Sequence, residues 1–137
     1  MLVHLMLELY GCDRARLMDE KLIYRALDEY PGRVDMEKVS PVHLYDIETS
    51  NPLDAGLSGF VVIAQSHISM HAWPEYGEVD IDICSCKEFS QEDGCFTILI
   101  VKFFGADEVF FPEQPRLFSF IHQRTCFITK PVANHVS

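Results

Sequence analysis

Alternating apolar and polar residues predict strands along much of the chain, with one amphipathic helix near the start. Residues 3–9 alternate loosely and predict a strand. Asp13 is a typical N-cap residue, and the apolar spacing after it predicts a helix over residues 14–29 that ends at Pro31-Gly32. The residues at helical spacing are Leu17, Met18, Leu22, Ala26 and Leu27.

The middle of the chain carries the densest strand signal. Residues 39–45 predict a strand, and turn-forming residues fill positions 48–52. The apolar run 57–64 is typical of a buried strand, and residues 66–72 continue extended. After a turn at 75–77, Val79, Ile81 and Ile83 alternate with polar residues, as in a half-buried strand.

The last third of the chain has weaker patterns. The length of the segment 90–104 and the glycine after it favour a helix, whereas its Ile and Val content favours a strand; we predict a helix. Short strands are predicted at 109–111 and 117–121, and the tail from Lys130 is predicted to be loosely held.

This order of elements predicts an α+β two-layer sandwich in a single domain spanning residues 1–137. An antiparallel β-sheet would carry the helices packed on one face. Its other face would need a cover, and a homodimer is one way to provide it.

Composition narrows the class of protein. The chain has 137 residues, of which 48% are hydrophobic, enough to build a core. Its net charge of -10 argues against nucleic acid or an anionic membrane as a partner. An odd number of cysteines, five, and a start without a basic leader favour free thiols and a cytoplasmic location. No apolar run approaches the ~18 residues of a membrane span.

Residues 65–77 carry the most concentrated chemistry in the chain. They hold two imidazoles, two hydroxyls, a carboxylate and two aromatic rings directly after a predicted buried strand. Polar groups in that position indicate a site rather than a solvated loop. His67, His71 and Glu75 stand four apart, which would form a metal-binding face on a helix. Because Pro74 and the strand pattern argue against a helix, no metal site is predicted.

The same stretch resembles the self-cleavage segment of S-adenosylmethionine decarboxylase, the small bacterial and archaeal type. The resemblance runs through most of the chain, including residues 4–13, and is densest over residues 57–86. The matching residues are Leu57-Ser58-Gly59, Ser66-His67-Ile68, the run from His71 to Gly77, Asp82 and Cys86.

The resemblance implies a proenzyme that cleaves itself between Gln65 and Ser66, giving a beta chain 1–65 and an alpha chain 66–137. Ser66 would become a covalent pyruvoyl cofactor, which forms a Schiff base with the substrate amine. His71 matches the general base of processing, and Ser58 matches a serine that assists the rearrangement. Gln65 stands where glutamate is common in the family.

The resemblance also implies the substrate residues. Cys86 matches the proton donor of decarboxylation, although Cys84, two residues away, has the same strand parity and spacing alone does not exclude it. Glu75 matches the carboxylate that binds the ribose of S-adenosylmethionine. Trp73 and Tyr45 would sandwich the adenine ring. Tyr45 replaces a usual phenylalanine, and the loop 46–55 after it is longer than usual.

Three functions follow as hypotheses. The first is decarboxylation of S-adenosylmethionine to the aminopropyl donor for spermidine biosynthesis. The second is decarboxylation of a basic amino acid, ornithine or arginine, on the same fold. The third is an unprocessed, non-enzymatic homologue that acts by binding a partner. In the family, residues from both protomers of a homodimer line each site.

Overall fold

The computed structural model describes residues 3–86 and 102–110, and within these ranges it contains one antiparallel sheet. The strands lie side by side in the order β2-β3-β4-β5-β1-β6. Their bounds are β1 Val3–Tyr10, β2 His43–Ile47, β3 Gly56–Ile63, β4 Ser66–Trp73, β5 Glu78–Ser85 and β6 Glu108–Phe110.

Two helices follow β1, where one was predicted. Helix α1 spans Arg14–Leu17 and α2 spans Glu20–Arg33. The prediction of a single helix over 14–29 was wrong because the Asp19 carboxylate accepts hydrogen bonds from the backbone N–H groups of Lys21 and Leu22 and caps a second helix. The predicted end at Pro31-Gly32 was also wrong. Pro31 is buried in the final turn of α2, where its missing N–H removes only one hydrogen bond.

The core lies between α2 and one face of the sheet, which confirms the α+β sandwich with its helices on one face. Helix α2 packs mainly on β3 and β4. Alternate strand residues point toward it, and each fully buried aliphatic side chain contributes about 1.5–3 kcal/mol. The fully buried strand residues include Leu7, Leu9, Val61, Ile68, Val79, Ile81 and Ile83.

We call the opposite side of the sheet the open face. No element in the described ranges covers it, and Phe60 and Val62 are each 38% exposed on it. Its other side chains are mostly polar. They include His4, Glu8, Tyr10, Tyr45, Ser58, His67, Ser69, His71, Trp73, Glu78, Asp80, Asp82 and Cys84.

The remaining predictions were confirmed to different extents. The strand predicted at 39–45 begins only at His43, because Pro41 interrupts the ladder after the isolated bridge between Lys38 and Ile63. Residues 102–104 are helical and Glu108–Phe110 is a strand, as predicted. The predictions for 90–101, Phe111, 117–121 and the tail lie outside the described residues. Among the described residues, no helix is long and apolar enough to cross a membrane.

Gly56 sets the approach of β3 to the end of β4. A Cβ atom at this position would lie 2.0 Å from the carbonyl oxygen of Ala72 and 3.0 Å from Pro74 Cδ. We therefore expect Gly56→Ala to lower the free energy of unfolding by about 3 kcal/mol, the upper range for overpacking, as measured by urea denaturation. Gly32→Ala is the control: its Cβ would meet nothing within 4 Å, so stability should stay equal or rise. Equal stability of the two variants would contradict the steric argument.

Candidate active site

Ser66 lies at a strained point of the β3–β4 hairpin. The hairpin closes through Ala64 and Gln65, with Ile63 paired to Ser66. The favoured two-residue turns need a positive φ in the loop, yet neither loop residue has one. The positive φ, 157°, falls on Ser66, in a region that is essentially confined to glycine and costs about 1–3 kcal/mol. Asp35 is the one other non-glycine residue with a positive φ in the described ranges.

The hydroxyl of Ser66 contacts the ring of the next residue. Ser66 Oγ and His67 Nδ1 lie 3.1 Å apart, within hydrogen-bond distance. In a regular strand, adjacent side chains point to opposite faces. The unusual φ of Ser66 therefore accompanies a contact that regular strand geometry would not provide, and both residues are partly exposed.

The carbonyl that precedes Ser66 is held by the neighbouring strand. The backbone N–H of Cys86 donates a hydrogen bond of 3.0 Å to the carbonyl oxygen of Gln65. The side-chain Oε1 of Gln65 is buried and has no hydrogen-bond partner among the described residues. The Gln65–Ser66 peptide thus has a hydroxyl, an imidazole and an N–H donor arranged around it.

His71 and Ser58 form a second cluster on the open face. His71 Nδ1 and Ser58 Oγ lie 3.0 Å apart on the paired strands β4 and β3. Tyr45 is opposite Ser58 on β2, so Tyr45, Ser58 and His71 form one row across three strands. The Trp73 ring lies 6.5 Å from the His71 ring, and Trp73 Nε1 donates to Asp80 Oδ2 at 3.0 Å.

The two clusters do not meet within one chain. Ser66 and His71 are five residues apart on β4, which at 3.2–3.4 Å per residue is roughly 17 Å. The structure therefore joins His71 to Ser58 and Ser66 to His67, but it does not bring His71 to Ser66 in the same protomer.

Glu75 follows β4 and is paired with a residue that sequence reasoning missed. Arg14, in α1, donates from Nη2 at 2.5 Å and from Nε at 3.2 Å, both to Glu75 Oε1. A pocket of about 130 Å³ lies beside this ion pair. Its walls include Asp46 from β2, and Pro52 and Ala55 from the segment that follows β2.

The candidate proton donors differ in position. Cys84 lies on β5 opposite His67, with His4 on its other side. Cys86 lies just beyond the strand and is exposed, and its N–H contacts the Gln65 carbonyl. Cys12 is a different case, because burial, with smaller contributions from Asp107 and Glu78, raises the pKa of its thiol to about 12 and keeps it protonated.

Carboxylates give the open face a negative charge. Burial, together with the neighbouring Asp80 and Glu8, raises the pKa of Glu78. A hydrogen bond of 2.6 Å to Glu8 raises the pKa of Tyr10. Because Glu8, Glu78, Asp80 and Asp82 all lie on this face, it favours a cationic ligand over an anionic one.

Two contacts were not predicted from the sequence, and the reasons differ. The sequence suggests no catalytic role for His67, which matches the family motif and was weighed only as a metal ligand. Regular strand geometry would place its side chain opposite that of Ser66, so the contact appears only in the structure. Arg14 and Glu75 are 61 residues apart, and no sequence signal connects them. Among the described residues, no three His, Cys, Asp or Glu side chains are grouped closely enough to hold a metal ion.

Comparisons with known proteins give a consistent result. The family model described as S-adenosylmethionine decarboxylase matches residues 3–116. An S-adenosylmethionine decarboxylase proenzyme of Archaeoglobus fulgidus is 34% identical over 100 residues, covering 73% of this chain and 84% of the relative. One of Pyrobaculum islandicum is 30% identical over 100 residues, covering 72% and 75%.

Two further similarities concern substrate and fold. A protein of Hyperthermus butylicus named arginine decarboxylase proenzyme is 31% identical over 101 residues, covering 72% of this chain and 67% of the relative. The crystal structure of the Aquifex aeolicus adenosylmethionine decarboxylase has a TM-score of 0.67 at 22% identity, covering 90% of this chain and 98% of that one. At this identity the structural similarity supports the fold alone.

Proposed function

This chain belongs to the S-adenosylmethionine decarboxylase family, and we propose that it decarboxylates S-adenosylmethionine after cleaving itself between Gln65 and Ser66. The product would be the aminopropyl donor for spermidine biosynthesis. The observation that carries the proposal is the geometry of the scissile peptide, where a strained serine follows a carbonyl already bound by the Cys86 N–H.

The groups around this peptide suit an internal acyl shift. Ser66 Oγ attacks the Gln65 carbonyl carbon, and the Cys86 N–H donates to the oxygen that becomes negative. In other acyl transfers, the removal of one such donor lowers the rate roughly 10²–10³-fold. The shift cuts the peptide bond to Ser66 and can release the strain held at that residue. An ester then joins Gln65 to the Ser66 oxygen.

The second stage needs a base for the α-proton of Ser66. His71 has the residue type for that task, and Ser58 orients its ring through Nδ1. Removal of this proton expels the carboxylate of residue 65 by β-elimination. Water then hydrolyses the dehydroalanine left at position 66 through its imine form, which gives the pyruvoyl group and releases the amino nitrogen as ammonia.

The surroundings of Ser66 fit a pyruvoyl group, since the residue is partly exposed and has both Cys86 and His67 beside it. When formed, the group supplies an electron-withdrawing carbonyl that assists loss of carbon dioxide. Cys86 is the proposed proton donor, because it is exposed and its backbone N–H contacts the Gln65 carbonyl, whereas Cys84 is only partly exposed and lies opposite His67.

A homodimer would complete the site. Within one chain, roughly 17 Å of strand separates His71 from Ser66, and the described residues leave the open face uncovered. We propose that two copies pack open face to open face, so that His71 and Ser58 of one copy reach Ser66 of the other. The exposed Phe60 and Val62 would be buried in the same contact.

The substrate would lie along the open face and the adjoining pocket. Trp73 and Tyr45 offer aromatic faces to adenine and to the sulfonium cation. Arg14 donates both hydrogen bonds to Oε1 of Glu75, and the proposed role of the second oxygen, Oε2, is to accept hydrogen bonds from the ribose hydroxyls. The negative charge of Glu78 and Asp80 matches the cationic substrate.

We expect Glu75→Gln to raise the KM for S-adenosylmethionine about 10–100-fold, because hydrogen bonds to a charged group contribute about 1.5–3 kcal/mol. Self-cleavage should be unchanged, since Glu75 takes no part in it. Steady-state kinetics on the cleaved protein measures the effect. Glu29→Gln is the control, because the ion pairs of Glu29 among the described residues are with Arg25 and Arg33 on α2, away from Glu75. A normal KM in Glu75→Gln would contradict the assignment.

Arginine is the second candidate substrate. One relative is named arginine decarboxylase proenzyme. Part of the loop 46–55 also lines the pocket beside Glu75. Release of carbon dioxide from S-adenosylmethionine, arginine and ornithine, each offered alone, tests the choice. Activity on S-adenosylmethionine supports the first proposal. Activity only on an amino acid would replace it, and an uncleaved chain inactive on all three would favour a binding protein.

A further inference from the structure

The imidazole of His67 contacts the Ser66 hydroxyl, and the processing steps proposed so far give it no role. Its Nδ1 lies 3.1 Å from Ser66 Oγ, while the other candidate base, His71, lies five residues along the strand and pairs with Ser58. Processing removes two different protons, one from the hydroxyl and one from the α-carbon of Ser66. These protons leave at different stages, so different bases can remove them.

We propose that His67 is the general base of the acyl shift, acting before His71 takes the α-proton. The inference rests on the proposed self-cleavage and assigns a catalytic residue to its first stage. Imidazole suits this task because its ordinary pKa lies near physiological pH. The neutral tautomer required has its proton on Nε2, which leaves Nδ1 free to accept the hydroxyl proton.

The step balances without any added reactant. As Ser66 Oγ bonds to the Gln65 carbonyl carbon, its proton moves to His67 Nδ1, and negative charge collects on the oxygen bound by the Cys86 N–H. The carbon–nitrogen bond then breaks, and the imidazolium returns the proton to the departing Ser66 nitrogen. An ester and a free amine result, and His67 is neutral again.

The backbone at Ser66 makes this assignment specific. Regular strand geometry would direct Ser66 and His67 to opposite faces. At a φ of 157°, the hydroxyl instead lies beside the ring. The unusual φ of Ser66 therefore accompanies both the strain at the scissile peptide and the contact between Ser66 Oγ and His67.

The test separates the two histidines by the species that accumulates. His67→Asn keeps a polar group near the position of Nδ1 but cannot act as a base. We expect its cleavage to slow at least about 100-fold, the lower range for general-base catalysis, with the chain remaining a peptide that hydroxylamine does not cut. His71→Ala should instead accumulate the ester, which hydroxylamine cuts. Intact-mass spectrometry after hydroxylamine treatment reads both outcomes.

Controls keep the outcome decisive. His43→Asn alters another imidazole of the sheet, one stacked on Phe60 at 4.8 Å, and should cleave normally. Added imidazole should restore cleavage to His67→Ala, because a small base can enter at this partly exposed position. An ester in His67→Asn, normal cleavage, or no rescue of folded His67→Ala would overturn the proposal. An unmodified chain that never cleaves would instead refute the proposed function itself.

Discussion

Ser66→Ala is expected to leave the chain whole at 15.7 kDa and without decarboxylase activity. Alanine lacks the oxygen that attacks the Gln65 carbonyl, so neither the ester nor the pyruvoyl group can form. Removing a nucleophile from a serine hydrolase costs about 10⁶-fold in rate, and a loss on this scale would lie below detection. Intact-mass spectrometry and release of carbon dioxide measure the two effects.

Ser69→Ala is the matched control for this substitution. It removes a hydroxyl three residues along the same strand, on the open face. Two fragments, 1–65 and 66–137, should therefore form as in the unmodified protein. Cleavage of the Ser66→Ala chain at the same bond would rule out Ser66 as the nucleophile.

We expect processing of the His71→Ala chain to stop at the ester. A second copy of the chain that retains His71 should then complete the cleavage. If two open faces meet, a mixed dimer of His71→Ala with Ser66→Ala contains one competent pair, the serine of the first chain and the imidazole of the second. Co-expression of the two chains with different tags should yield cleaved His71→Ala chain. Cleavage in the mixture, with none in either variant alone, requires that the base act between copies.

The control for the mixture replaces the Ser66→Ala chain with one that carries both substitutions. This double variant differs from the Ser66→Ala partner only by the loss of the His71 imidazole, so the ester should persist. An uncleaved His71→Ala chain in a mixture proven to contain mixed dimers would contradict the two-copy site. Complete cleavage of His71→Ala by itself would remove His71 from the mechanism.

The sheet was predictable where alternation is strict. Val79, Ile81 and Ile83 alternate with polar residues, and the structure buries all three on the helix side. The helix boundaries were harder to predict, because Asp19 falls within a helical pattern while its side chain favours capping. Apolar periodicity records which face of a helix is buried but does not show a break of one or two residues.

The site was predictable as a set of residue types but not as an arrangement. The sequence indicates Ser66, His71 and Glu75, and the extended segment predicted at 66–72 already implies that Ser66 and His71 lie apart. It does not show that His67 contacts Ser66 or that Arg14 contacts Glu75. Hairpin rules place positive φ in the turn itself, at Ala64 or Gln65. Its occurrence at Ser66 departs from those rules, at a residue that also pairs with the sequence-distant Ser85 on β5.

The strand order has a consequence for the proposed cleavage. If the chain is cut before Ser66, β1, β2 and β3 belong to one product and β4, β5 and β6 to the other. Because β1 lies between β5 and β6 while β3 pairs with β4, the two products are interleaved at three strand boundaries. Neither can keep its share of the sheet alone, so folding of the cleaved protein becomes an association of two chains. Recovery of its sheet from denaturant should depend on protein concentration, whereas each uncut chain can form its sheet before two copies associate.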